Sequence, residues 1–234
     1  MMDSSESETL ALPGGETRVL WRRSSRARRV SLRIEPKGGL VVVTLPLRTG
    51  RRAGLALLAA HAGWVAAHLA ALPDAVALAP GALIPLGGVE QLIRHIPWAR
   101  RGVWLEGGEI RVSGDVAFLP RRVRDFLRTE AKQRLSALVA EKAACLGVKV
   151  RRVRVRDTRS RWGSCGADGS LAFSWRLVMA PPFVQDYVAA HEVAHLRHMN
   201  HGPRFWALVR KLSPDTDAAI AWLHDEGTRL LRIG

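Results

Sequence analysis

The chain has 234 residues, enough to bury a substantial core in one large or two small domains, and 47% of them are apolar, as in globular proteins. Its 36 lysines and arginines, nearly all arginine, exceed its 21 acidic residues and give a net charge of +15. This balance favours phosphate-bearing or acidic partners, with nucleic acid as one possibility, although a merely solvated basic surface carries the same charge.

The first half of the chain is expected to form a strand-rich module. Residues 1–14 are polar, so we expect them to be disordered, and they do not resemble a signal peptide. Across residues 15–115, short apolar and β-branched runs alternate with glycine turns, which predicts several short strands and one helix. The expected strands lie within residues 18–33, 40–45, 92–96, 103–105 and 109–112.

The helix of this module, residues 53–72, has no Asp, Glu, Lys or Arg and approaches the length of a membrane span. Nine of its residues are alanine, and His61, His68 and two glycines interrupt it. We therefore predict one alanine-rich helix of a soluble protein and no membrane span. Cys145 and Cys165 cannot form a disulfide framework and fit a reducing compartment, so we expect the protein to be cytoplasmic.

Residues 116–234 are expected to form a second, helix-rich domain. Proline stands in the first turn of four expected helices, which begin near residues 120, 182, 203 and 214. Gly147 is placed to end the first of these helices. Valines alternate with arginines through residues 148–155 and an apolar run follows at 171–175, so both stretches predict strands, the first with a bulge at Arg151-Arg152.

The second of these helices carries the sequence His191-Glu192-Val193-Ala194-His195. The two histidines lie one helical turn apart on the same face, so their imidazoles can bind one metal ion. Glu192 lies beside them and can act as general base on a water that the metal activates. This spacing predicts one catalytic zinc ion.

A catalytic zinc site usually takes a third protein ligand, for which there are three candidates. His201 follows the helix where Gly202 and Pro203 force a turn, which can fold its side chain back onto the ion. His198 shares the helix face, but three histidines of one straight helix cannot converge, so we expect it beside the site, where it could contact substrate. Glu226 on the last helix is the remaining alternative, and we favour His201.

The stretch Thr158-Arg159-Ser160-Arg161-Trp162-Gly163-Ser164-Cys165-Gly166 resembles the signature of the YgjP-like metal-dependent hydrolases, relatives of the SprT-like and WLM zinc peptidases. Residues 187–192 and 195–202 resemble the family's zinc helix and its continuation, and Phe205-Trp206 resembles the aromatic pair after it. An arginine-rich opening at residues 22–29 is also similar, so the resemblance covers about residues 16–232.

This resemblance implies that His191, His195 and His201 are the zinc ligands and that Glu192 is the catalytic residue. It also implies an α+β fold, with a minimal zincin-like core of a small sheet and active-site helices behind a β-rich N-terminal module.

Three further residues have candidate roles near the zinc helix. Tyr187, one turn before the first histidine, could donate a hydrogen bond to a developing oxyanion, or could be a core aromatic. Arg161 and Ser164 could bind substrate, or their polar groups could only stabilise a turn. Cys165 as a fourth ligand would close the site and make it structural, whereas a catalytic site keeps an open position.

These patterns predict a zinc-dependent hydrolase. Peptide-bond hydrolysis is the first hypothesis because of the zincin resemblance. There are two alternatives. One is hydrolysis of a nucleotide phosphoanhydride at the same metal site, with arginines holding the phosphates. The other is an SprT-like protease or binding module that associates with nucleic acid through its positive charge. The substrate is thus expected to be a peptide, a protein or a phosphate-bearing molecule.

Overall fold

The computed structural model describes residues 5–13, 15–158 and 160–234. The chain divides into two compact units, Met1–Asp74 and Ala75–Gly234. Across the described residues, three small sheets and six α-helices form a mixed α+β architecture, which confirms the predicted fold class.

The first unit is a four-stranded sheet followed by two helices. Its elements are β1 (Ser5–Leu12), β2 (Gly15–Ser24), β3 (Ser31–Glu35), β4 (Leu40–Pro46), α1 (Arg51–Ala60) and α2 (Ala62–Ala70). The strand order is β1-β2-β4-β3, with β2 and β4 parallel and the outer pairs antiparallel. Gly54 lets α1 lie close to this sheet, because a Cβ there would stand 2.5 Å from the Trp21 ring.

Residues 5–12, expected to be disordered, form strand β1. Their polar composition is compatible with an edge strand, which bonds to only one neighbour. Glu8 accepts a hydrogen bond from the indole Nε1 of Trp21 at 2.7 Å and forms an ion pair with Arg51. Residues 1–4 and 14, which the same prediction covers, lie outside the described residues.

The single helix predicted over residues 53–72 is two helices, α1 and α2, bent by 68° at their junction. The bend keeps both helices against the narrow sheet, where Leu58 of α1 and Val65 of α2 enter one core. No single helix of the described ranges is long and apolar enough to cross a membrane. The bent pair meets that criterion together, on length and composition alone.

The second unit begins with another four-stranded sheet, of order β5-β6-β8-β7. Its strands are β5 (Leu83–Leu86), β6 (Val89–His95), β7 (Val103–Glu106) and β8 (Glu109–Val112). The sequence prediction assigned these strands to the N-terminal module, with a boundary after residue 115, but the structure divides the chain after Asp74. The physical reason is packing: the inward side chains of this sheet join the core of helix α3 (Leu119–Leu146).

A three-stranded sheet and three helices complete the second unit. They are β9 (Arg152–Arg156), β10 (Gly163–Cys165), β11 (Ser170–Ser174), α4 (Pro182–Ala194), α5 (Pro203–Leu212) and α6 (Thr216–Leu231). The strand order is β10-β11-β9, and β9 pairs with β11 in continuous register without the predicted bulge. Strand β10 was not predicted, since three residues that include a glycine carry little strand signal.

Helix α4 lies inside this unit rather than on its surface. It packs against α3, α5, α6 and β10, and its alanines allow these neighbours to come close. Val184, Ala189 and Val193 are fully buried in the same core as α3. The helix that carries the metal motif is therefore held on several sides, which fixes the positions of its side chains.

Candidate metal centre

Three histidine side chains meet where helix α4 ends. His191 lies in the last turn of α4, His195 follows as its C-terminal cap residue, and His201 lies in the loop before α5. Their ligating nitrogens all lie within 4.8 Å of one another, and the Nε2 atoms of His191 and His201 are 3.2 Å apart. Among the described residues, these three histidines form the group of His, Cys, Asp or Glu side chains that could hold a metal ion.

The chain turns back soon after helix α4 and so returns His201 to the end of the helix. Gly202 has an extended backbone and donates its N–H to the carbonyl of Asn200 at 2.8 Å. Pro203 then begins α5, where its missing N–H costs nothing. The chain leaves helix α4 after Ala194, through turn residues 195–197, which is earlier than the turn that the sequence predicted near Gly202 and Pro203.

Phe205 forms one wall of the histidine cluster. Its ring centroid lies 4.9 Å from that of His191, 4.6 Å from His195 and 4.7 Å from His201. Trp206 lies farther out, at 5.9 Å from the rings of both His191 and His201. This fully buried aromatic wall restricts the rotation of all three imidazoles and keeps bulk water from one side of them.

The main chain orients one of these imidazoles. The Nδ1 of His195 lies 3.2 Å from the carbonyl oxygen of His198. Donation from Nδ1 to that oxygen leaves the Nε2 lone pair free for a metal ion, as is usual for histidine ligands. His198 was predicted beside the site as a possible substrate contact. It lines a cavity with Arg197, Met199 and Phe205, behind the wall of the histidine cluster.

The donor set fits a divalent zinc ion. Burial, together with the nearby His195 and His201, lowers the pKa of His191 to about 4, so this imidazole is neutral and able to bind metal at pH 7. Burial also lowers the pKa of His195. Tetrahedral Zn–N bonds of about 2.0–2.1 Å place ligand nitrogens roughly 3.3 Å apart, close to the 3.2 Å between His191 and His201.

Glu192 lies buried beside the histidines, with 5% of its surface exposed. Burial raises the pKa of its carboxyl to about 7, and the charge of Arg161 opposes that shift. A carboxyl with this pKa can both accept and release a proton near neutral pH.

Gly163 of strand β10 lies directly against Glu192. A Cβ at this position would stand 2.4 Å from Oε1 of Glu192 and 2.6 Å from its Cγ, which is closer than real contacts allow. The strand can therefore cover this carboxyl only because residue 163 has no side chain. Gly163 was not among the predicted site residues, although its place in the Arg161–Cys165 segment was a signal.

Two alternative ligands lie outside the histidine cluster. Cys165 is not part of the group that could hold a metal, and burial together with the charge of Glu192 raises the pKa of its thiol. Glu226 accepts a hydrogen bond from Nε of Arg229 at 3.1 Å and lines a different cavity. The geometry thus favours His201 as the third ligand.

A cavity of about 210 Å³ adjoins the metal motif. Tyr187 lines it, with 7% of its surface exposed and its ring edge-on to His191 at 5.8 Å. Trp162, which the sequence analysis did not select, lines it as well and packs over Gly227 of α6. Tyr187 is therefore both nearly buried and next to the reacting groups, so its two predicted roles are compatible.

Arg161 and Ser164 line another cavity, of about 390 Å³, with arginines of strand β9. Side chains alternate along β10, so Gly163 and Cys165 face helix α4 while Ser164 points to the opposite side of the sheet. Ser164 is thus separated from the metal cavity. The charge of Arg161 still reaches Glu192.

The Glu192 carboxyl should stabilise metal-free protein less as pH rises, because it is harder to ionise when folded. Its folded pKa of about 7 exceeds the ordinary value of 4.5, so its contribution is complete below 4.5 and is lost as pH rises through 7. We expect Glu192→Gln to exceed wild type in free energy of unfolding at pH 8, with a difference about 2 kcal/mol larger than at pH 5.

Urea denaturation of chelator-treated protein at both pH values measures this difference. The histidine contributions are common to both proteins and cancel in the comparison. A difference that does not change with pH would contradict the burial assigned to the carboxyl.

A model of the YgjP-like metallopeptidase domain matches residues 28–226. Among solved structures, the metallopeptidase zymogen abylysin of Pyrococcus abyssi is similar over 37% of this chain and 90% of its own, with 20% identity and a TM-score of 0.33. No curated protein matches the chain. The match to the family model spans most of the sequence, and the chain therefore belongs to the YgjP-like metallopeptidase family of metal-dependent hydrolases.

Proposed function

We propose that this protein is a zinc peptidase in which His191, His195 and His201 hold the ion and Glu192 is the general base. One observation carries the proposal: a buried carboxyl lies next to three converging imidazoles. The family match supports a metal-dependent hydrolase, and the donor set supports zinc as its metal.

When bound, zinc supplies Lewis acidity, which polarises a carbonyl group and lowers the pKa of a water molecule. The carboxylate of Glu192 accepts a proton from the attacking water and returns it to the leaving amine. The hydroxyl of Tyr187 donates a hydrogen bond to the oxygen on which negative charge develops. The wall formed by Phe205 excludes water from the far side of the imidazoles.

The cavity beside Glu192 supports a peptide as the substrate. Its lining combines aromatic and aliphatic side chains, namely Trp162, Tyr187, Val188 and Leu223, which suits an apolar side chain next to the scissile bond. No arginine or lysine is among the described residues that line it. A nucleotide phosphoanhydride would need cations around its phosphates there, so this alternative has less support.

Two other expectations stay predictions, the cytoplasmic location and the association with nucleic acid. Binding of a labelled single-stranded oligonucleotide to the protein tests the second.

Glu192→Gln should retain its metal and lose turnover by a factor of about 10²–10⁴, because the amide cannot accept the proton. Metal content per chain and hydrolysis of a fluorescence-quenched peptide library by the zinc-loaded protein measure the two effects. A variant as active as wild type on any cleaved peptide would contradict the role of Glu192.

His201→Ala should lose bound zinc, since two imidazoles alone hold the ion weakly. His198→Ala is the matched control: it removes an imidazole from the same segment but leaves the carbonyl that bonds to His195, so its metal content should equal that of wild type. Elemental analysis after dialysis distinguishes them. Full zinc content in His201→Ala would transfer the ligand role to Glu226.

Gly163→Ala should keep its zinc and lose about a hundredfold in turnover, because the new Cβ displaces the Glu192 carboxyl from the position in which it can act. Ser164→Ala changes the next residue of the same strand on the opposite face and should leave turnover of a peptide without acidic residues within about twofold of wild type. Equal turnover in the two variants would show that the close approach of Gly163 does not position the base.

A further inference from the structure

Strand β9 carries a row of arginines on one face. Arg152, Arg154 and Arg156 are exposed and alternate with Val153 and Val155, which pack against the core. Alternate side chains of a strand point to the same side, so the three guanidinium groups stand on the face that is turned away from helix α4. Arg161 borders the same cavity as Arg154 and Arg156. We call these four residues and the surface in front of them the arginine face.

The surface in front of these arginines is shallow because its side chains are small. Ala172 pairs with Arg154 and with Ser164, and Ser170 pairs with Arg152, so short side chains lie side by side across the three strands. Together with the arginines they line a cavity of about 390 Å³. This arrangement leaves room for a ligand to lie across the sheet and contact the guanidinium groups.

The three arginines of β9 are free to bind a ligand. In the described ranges, the side chains of Arg152, Arg154 and Arg156 form no hydrogen bond or ion pair, while their backbones pair with strand β11. The neighbouring carboxylates bond to other arginines: Asp168 pairs with Arg151 at 2.6 Å, and Asp157 pairs with the buried Arg176. Like charges held side by side without counterions repel one another, and an anionic ligand relieves that repulsion.

The spacing of the arginines fits an extended acidic peptide. Alternate residues of a strand lie roughly 6.6–6.8 Å apart, which is also the spacing of alternate side chains in a bound extended peptide. Guanidinium groups bind carboxylates with two parallel hydrogen bonds. No aromatic ring is among the described residues that line the cavity, whereas single-stranded nucleic acid is usually held by stacking on aromatic side chains. These observations favour a peptide over nucleic acid.

The arginines of β9 and the metal centre lie on opposite sides of one narrow sheet, with β11 and β10 between β9 and the edge that borders Glu192. Gly163 of β10 contacts Glu192, while Ser164, the next residue, belongs to the cavity in front of the arginines. A chain that passes over the β10 edge can therefore reach both sides. At about 3.3 Å per extended residue, roughly three to five residues cover that distance.

We propose that the arginine face is a binding site for an acidic segment of the peptide substrate, located a few residues from the bond that is cleaved. This inference rests on the proposed peptidase function, because it names the class of peptide which that function acts on. Part of the net positive charge of the chain then serves to bind an acidic peptide segment on one face of the β10-β11-β9 sheet.

Binding is measured with zinc-loaded Glu192→Gln protein, in which cleavage does not interfere. The probes are a labelled extended peptide with glutamate at alternate positions, its glutamine counterpart, and a labelled single-stranded oligonucleotide of equal charge. We expect the glutamate peptide to bind at least about tenfold more tightly than the glutamine peptide, and Arg152→Gln, Arg154→Gln and Arg156→Gln combined to abolish that preference.

A control variant removes the same charge from the other unit, by Arg28→Gln, Arg48→Gln and Arg52→Gln, which are all exposed positions. This control variant should still bind the glutamate peptide more tightly than the glutamine peptide, because contacts with the β9 arginines, rather than net charge, produce that preference. Thermal melting of each variant checks that it is folded.

Three outcomes would overturn the proposal: equal binding of the two peptides, equal loss in both arginine variants, or tighter binding of the oligonucleotide that depends on the β9 arginines. The last outcome would assign the face to nucleic acid. Binding of the glutamate peptide without its cleavage by zinc-loaded wild type would leave the binding site in place and reject the peptidase function instead.

Discussion

The contact between Gly163 and Glu192 is the constraint on which the rest of the site depends. A hydrogen atom in place of a side chain lets strand β10 close over the carboxyl, since a Cβ would stand 2.4 Å from Oε1. That closure removes the carboxyl from water and raises its pKa to about 7. The absence of a side chain at residue 163 thus allows the short strand β10 to bury Glu192 and so to raise the pKa of its carboxyl.

The histidine cluster depends in the same way on packing around it. Phe205 contacts all three imidazole rings, and the carbonyl of His198 lies 3.2 Å from Nδ1 of His195. Burial keeps His191 neutral, with a pKa of about 4, so that its lone pair is available without loss of a proton at pH 7. The surrounding core thus disfavours the charged forms of both His191 and Glu192 through one physical effect, the cost of charge in a poorly solvated site.

The β10-β11-β9 sheet separates two chemistries because side chains alternate along its strands. Valines, Phe173 and Gly163 face the core and helix α4, and arginines with small residues face the other way. The same three strands therefore present an apolar side, which borders Glu192, and a basic side. This arrangement puts Ser164 and most of the local charge away from the reacting carboxyl.

The sequence by itself determined the elements that carry the metal motif. Local signals marked helix boundaries, namely helical spacing, proline in the first turn, and Gly147 with a φ of 60°. His201 was indicated by the Gly202-Pro203 pair, a local signal, although the chain turns earlier, directly after Ala194. Only the tertiary structure decided which sheet belongs to which unit, that residues 53–72 bend, and that residue 163 must be glycine. These depend on contacts between segments distant in sequence, where packing rather than local preference determines the outcome.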